Sequence, residues 1–250
     1  MARNAVAALD ATNGTATAWD PNAGSTVFAV AVGGATVYVG GQFVTVGAQQ
    51  RYFIAAIDSA AGATTPWDPN ASDPVLALAI SGSTVIAGGQ FTNIGGHARN
   101  HVAALDVVTG SATPWDPNAD ADVHALTASG PTIYVGGEFA NIGGHDAQVC
   151  RRARCDDRGA SDWNPNASWI VHTIVVAGST VYAGGEFDSI GGQALHFIAA
   201  LDAATGVPHF VVSAQQRPGP RPGGGRLHHL CRWQLQQYRR ICPKVLRGRG

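Results

Sequence analysis

The chain has 250 residues, enough to bury a sizeable core as one domain or as an array. Its formal net charge of −1 hides an asymmetry: outside 149–159 and 213–250 only Arg3, Arg51 and Arg99 are basic, against fifteen Asp or Glu. Those two stretches hold every other basic residue and all four cysteines, Cys150, Cys155, Cys231 and Cys242, so the rest offers neither a basic surface for nucleic acid nor thiols for a zinc site. No apolar run is long enough to span a bilayer as a helix, and membrane insertion is not expected.

The first residues, "RNAVAALD", match text in the middle of later units, such as "RYFIAAID" and "RNHVAALD". Met1 therefore starts inside a repeat with no signal peptide, and the chain is expected to be a fragment of a longer reading frame. The period is 48 residues. It places Trp19, Trp67, Trp115 and Trp163 in one slot and Phe43, Phe91, Phe139 and Phe187 in another. Asp10, Asp58, Asp106 and Asp202 share a third slot, which Arg154 interrupts.

Within a unit, "VFAVAV" and "TVYVGG" are β-branched runs joined by a Gly-rich turn, a hairpin signal. "RYFIAAID" predicts a third strand and "TTPW" a short fourth. The following Asp-Pro-Asn predicts a type I turn, with Pro presetting φ at the second position. Four short strands per unit are the arithmetic of a β-propeller blade, so an all-β propeller with an incomplete ring is expected. One buried Trp per blade removes roughly 150–250 Å² from water, about 4–6 kcal/mol gross at the usual area coefficient. The four tryptophans and four phenylalanines are thus assigned to blade packing.

These motifs, above all "VIAGGQFTNIGG" followed by "HVAALDVVTGSATPWDPNA", resemble the bacterial delta-sixty-type repeats, expected β-propellers of unknown function in large surface or secreted proteins. The resemblance implies an extracellular or cell-surface parent, no catalytic residues and no cofactor. "ALDATNGTATAW" is also similar to the tryptophan-docking motif of pyrroloquinoline quinone dehydrogenase propellers, with one extra residue between Gly and Trp. A shared docking motif concerns packing and does not carry the cofactor with it.

"VCRRARCDDRG" at 149–159 departs from the repeat. Back-translated and slid one base, it permits [F/Y]-V-A-A-L-D-A-T-T-G, the consensus at the correct position. The tail from 213, treated alike, permits A-L-A-V-A-G-S-T-I-Y-V-G-G, the opening of a fifth unit. Residues 1–212 are therefore read as about four blades with a frame-shifted patch at 149–159. Residues 213–250 are read as a frame-shifted remnant without evolved fold or partner, expected to be disordered. The basic tail, read as a frame artefact, is not taken as a nucleic-acid site.

Other candidates were weighed against plainer readings. Asp116, Asp120 and Asp122 could offer oxygen to Ca²⁺, but they lack the glycine and distal Glu of an EF-hand loop and read as a solvated turn. His97 and His101 lie on a turn entering a strand and are not expected to share a face. Glu138 and Glu186 share a slot with Gln42 and Gln90, which reads as a hydrogen-bonding structural position. The binding candidates are Phe28, Leu76, His124 and His172, the second residue of each first strand, a variable slot on a recurring frame expected to line one mouth of a central channel. The functional expectation is a non-enzymatic scaffold binding a protein or glycan; the alternative is the propeller domain of a larger, quinoprotein-like enzyme.

Overall fold

The computed structural model describes residues 3–146, 150–154 and 163–209, all within one compact unit, Met1–Val211. The sequence-based expectation of disorder beyond 213 lies outside the described residues. The fold is all-β, with no helix among the described residues.

Four antiparallel three-stranded meanders follow one another. In the first unit Val27–Gly33 pairs with Thr36–Gly41, which pairs with Ile54–Asp58. The second unit repeats this with Val75–Ser81, Thr84–Gly89 and Val102–Asp106. The third uses Val123–Ser129, Thr132–Gly137 and Cys150–Arg154, and the fourth Val171–Ala177, Thr180–Gly185 and Ile198–Asp202. The first two strands of each unit are joined by a tight turn whose glycine (Gly34, Gly82, Gly130 or Gly178) has φ between 56° and 60°, which a side chain would disfavour.

The third unit keeps its third strand even though 150–154 is out-of-pattern text: Thr132 opposes Arg154 as Thr36 opposes Asp58. The ladder is made of main-chain groups, so the altered side chains leave the pairing intact.

Two expectations are corrected. The fourth strand is a single bridge, Ile57↔Thr64, with counterparts Leu9↔Ala16, Leu105↔Ala112 and Leu201↔Pro208. Two bonds, Asp58 N–H to Ala63 O (2.8 Å) and Thr65 N–H to Ala56 O (2.9 Å), close it. Pro66 then removes the next donor and the chain leaves the sheet edge. Each of the first three units also carries a two-residue hairpin after its second strand, such as Thr45–Val46 with Gln49–Gln50.

The Asp-Pro-Asn turn is not type I. That turn needs negative φ at Asn, whereas Asn22, Asn70, Asn118 and Asn166 have φ of 54°, 54°, 50° and 54°. Asn is among the few residues with a side chain that tolerate this region. The turn serves the small hairpin instead: Pro69 O accepts from Gly95 N–H at 2.7 Å, and Pro117 from Gly143 likewise.

Each tryptophan packs into the unit that follows it. Trp67 joins a cluster with Val75, Val85 and Phe91 of unit two, and Trp163 one with Val171 and Phe187 of unit four. Trp19 sits with Val39 and Phe43 of unit one, and Trp115 with Val123 and Phe139 of unit three. Phe43, Phe91, Phe139 and Phe187 are fully buried, and all four indoles are buried. Tyr38 meets Trp67 edge-on with centroids 5.0 Å apart, and Tyr134 meets Trp163 at 5.1 Å, a favoured geometry for aromatic pairs.

The recurring Asp caps the turn that leads to Trp19, Trp67 and Trp115, and Asp202 caps the equivalent turn after the third strand of unit four. Asp58 Oδ1 accepts the N–H groups of Ala60 (2.9 Å) and Ala61 (2.6 Å), and Asp106 Oδ1 those of Val108 and Thr109. These bonds favour the charged form and hold the carboxyls of Asp10, Asp58, Asp106 and Asp202 below the ordinary range. The Ala61 N–H leads for Asp58 and the Thr205 hydroxyl for Asp202.

Candidate functional site: the bulged first strands

The slot holding Phe28, Leu76, His124 and His172 coincides with a β-bulge in every unit. Val27 opposes Gly41 and Ala29 opposes Gly40, so Phe28 has no partner of its own, and the register shifts identically at 75/77, 123/125 and 171/173. A bulge bends a strand and re-aims the extra side chain. Here the repeat carries one such residue per unit, on a conserved backbone distortion within the chain itself.

The bulged residues converge in part. Phe28, His124 and His172 line one shallow groove of about 260 Å³, together with Val30, Leu78 and Leu126. Leu76 is half-buried and does not line it. The rings of His124 and His172, from adjacent units, meet edge-on with centroids 5.4 Å apart. Each imidazole is oriented from its own unit: His124 Nε2 lies 2.9 Å from Glu138 Oε1, and His172 Nε2 lies 2.9 Å from Glu186 Oε1. An ionised carboxylate only accepts, so each Nε2 carries the hydrogen and Nδ1 is the acceptor of the neutral ring.

The Gln/Glu slot is therefore a hydrogen-bonding position whose partners include the binding candidates. A sequence signal for this existed: Glu stands where the bulge residue is His, and Gln where it is Phe or Leu. Gln90 instead reaches across to the next unit, donating to Asp122 Oδ2 at 2.7 Å. Asp122 also faces His101 Nδ1 at 3.4 Å. His101 has φ of 62° in a slot where Ala5, Phe53 and Phe197 are also left-handed.

The acidic run is occupied by the fold. Asp116 pairs with Arg99 at 3.5 Å, as Asp68 pairs with Arg51. Asp120 caps the neighbouring hairpin through the N–H groups of Ala140 and Asn141, both at 2.9 Å. His97 lies exposed in the small hairpin opposite Ile94, apart from His101. Among the described residues no group of three or more His, Cys, Asp or Glu is placed to hold a metal ion.

No family model and no curated protein matches this sequence. Solved structures are similar in fold alone. A chain of the mitotic checkpoint complex is similar over 80% of this chain and 55% of its own, with a TM-score of 0.56 at 16% identity. The structure of U3-55K gives 0.52 at 10% identity, over 73% of this chain and 50% of that one. The computationally designed Ika4 protein gives 0.50 at 15% identity, over 72% of this chain and 92% of Ika4. The WD40 β-propeller domain of Doa1 is similar over 74% of this chain and 53% of its own, with a TM-score of 0.49 at 11% identity. The chain spans about half the length of the checkpoint-complex and U3-55K chains it matches.

Proposed function

We propose that this chain is an arc of a β-propeller of the delta-sixty-repeat kind, a non-enzymatic recognition scaffold from a surface or secreted bacterial protein. Each blade consists of three strands plus the bridge that stands for the fourth. Ligand is bound in the groove of the bulged first strands. The observation that carries this reading is the bulge itself: the framework of Trp, Phe and Gly repeats, while the one residue per unit that the bulge re-aims varies between apolar and imidazole. Phe28, Val30, Leu78 and Leu126 give an apolar floor, and His124 and His172, each held by a carboxylate, give directed polar contacts. A few placed polar groups on an apolar surface suit a protein side-chain cluster or a sugar ring, which likewise has an apolar face and a hydroxyl rim.

A glycan array and a panel of surface-protein ectodomains, probed with the wild-type chain and with His124→Ala/His172→Ala, test this. A ligand retained by the wild type and weakened at least tenfold in the variant supports the groove. Hits that bind both chains equally place recognition elsewhere, and no hit on either panel removes the reading.

A further inference from the structure

Residues 3–23 have the geometry of the outer half of a repeat unit without its inner half. Trp19 Nε1 donates to Asp58 O at 3.0 Å, as Trp67 Nε1 does to Asp106 O at 2.9 Å. Val6 and Ala8 pack against the cluster under Trp19. The outer bridge Leu9↔Ala16 forms as Ile57↔Thr64 does. On the inner side the correspondence stops. Ala55 and Ile57 pair with Val39 and Val37 of the second strand. Their counterparts Ala7 and Leu9 have no backbone partner on that side among the described residues, and both are exposed.

Beside this free edge lies a matching apolar face. In unit two, Leu78 and Ile80 pack into the cluster around Tyr38 of the preceding unit. Their counterparts in unit one, Val30 and Val32, are 51% and 65% exposed. The internal joints show what such a face accepts. A Cβ on Gly40 would lie 2.7 Å from Val75 Cγ1, one on Gly88 2.5 Å from Val123 Cγ1, and one on Gly136 2.8 Å from Val171 Cγ1. Three times, a second-strand glycine receives the first valine of the next unit. Val27 is the valine of unit one and is only half-buried.

We infer that the notch formed by the Ala7–Leu9 edge and the face of Val27, Val30 and Val32 is an acceptor site for an added β-hairpin of this same repeat type. The occupant's second strand pairs with Ala7 and Leu9. It presents glycine to Val27 and a large apolar residue to Val30 and Val32, continuing the joint already built three times in the chain. Strand addition draws affinity from main-chain bonds and specificity from alternate side chains, and an edge left bare is a template for such pairing. The site shares Val30 with the groove proposed above but includes neither His124 nor His172, and Val32, which lies outside that groove, tells the two sites apart; the inference does not rest on the function proposed above.

The probe is a fluorescein-labelled peptide with the chain's own Val75–Gly89 sequence, flanked by lysines for solubility and titrated with the full chain. Saturable binding is expected, at least tenfold weaker for Val30→Asp or Val32→Asp. Both positions are exposed, so their variants should melt as the wild type does. A peptide carrying Gly88→Val should bind at least tenfold more weakly. Amide exchange at Ala7 and Leu9 should slow at least tenfold in the complex. Absence of saturable binding, equal binding by a scrambled peptide or by the Asp variants, or unchanged exchange at both amides would each overturn the inference.

Discussion

The indole N–H of Trp67 donates to the main-chain carbonyl of Asp106, thirty-nine residues on, at 2.9 Å. The same spacing joins Trp19 to Asp58 and Trp163 to Asp202, both at 3.0 Å. At these three junctions the units are thus fastened by a buried ring and one hydrogen bond to the carbonyl of a capped turn. Trp67→Ala should cost about 3–5 kcal/mol, the range for deleting a buried aromatic. Trp67→Phe, which keeps most apolar area and loses only the indole bond, while Gly110 N–H still donates to the Asp106 carbonyl at 2.9 Å, should cost less than Trp67→Ala. Urea unfolding of the three chains checks both, and equal stability of Trp67→Ala and wild type would refute the docking role.

Trp115 lacks this bond. Its Nε1 is buried with no acceptor among the described residues, and the slot that supplies the carbonyl elsewhere is here Arg154, inside the out-of-pattern stretch. A guanidinium only donates, so this sequence slot lacks the carboxylate acceptor that Asp58 supplies. Replacing residues 149–158 by their counterparts Phe53–Gly62 restores the cap. It should raise stability by about 1–3 kcal/mol, the cost of an unsatisfied buried group. Differential scanning calorimetry reads the gain, and an unchanged or lower Tm would count against it.

The capped turns set an acid limit. Asp10, Asp58, Asp106 and Asp202 have folded pKa values below their unfolded ones. Their contribution is complete above the unfolded value of about 3.9 and is lost as pH falls through the folded values. Tm should therefore be nearly flat in this contribution from pH 7 to 5 and fall below about pH 4. Asp58→Asn/Asp106→Asn should flatten that fall, because a side-chain amide keeps an acceptor oxygen without titrating. An undiminished acid slope in the double variant would show that other groups set it.

The glycine-to-valine joint predicts a steric cost. Gly88→Ala would bring a methyl 2.5 Å from Val123 Cγ1 and 3.1 Å from Leu126 Cδ1, an overpacking of about 1–3 kcal/mol. Gly82→Ala meets no atom within 4 Å, so its cost comes only from φ of 56°. A double variant with Val123→Ala should recover part of the Gly88→Ala loss if the two residues are coupled. Strict additivity in unfolding experiments would break the link.

Much of the fold is legible in the sequence because it depends on period. A 48-residue spacing of Trp19, Trp67, Trp115 and Trp163 and alternating β-branched runs point to repeated antiparallel meanders. What escapes has local causes. The small hairpins are two residues long, too short for alternation to show. "TTPW" has strand composition, but Pro66 and the capped turn before it leave room for only one bridge. The left-handed Asn70 is set by hairpin docking, which no dipeptide preference reveals. At the candidate site, the varying slot is visible in the repeat, whereas the bulge is a mismatch between two strands and exists only once they pair. The partnership of His124 with Glu138 was written in the way Glu accompanies His from unit to unit, a signal hidden by reading the Gln/Glu slot alone.

The groove is tested most directly by following the imidazole resonances of His124 and His172 by NMR while the chain is titrated with whichever array ligand depends on them. The account predicts that both histidines shift together and saturate with one Kd, while His97, exposed on the small hairpin, stays still. A ligand that saturates the chain while leaving both His124 and His172 unmoved would contradict it.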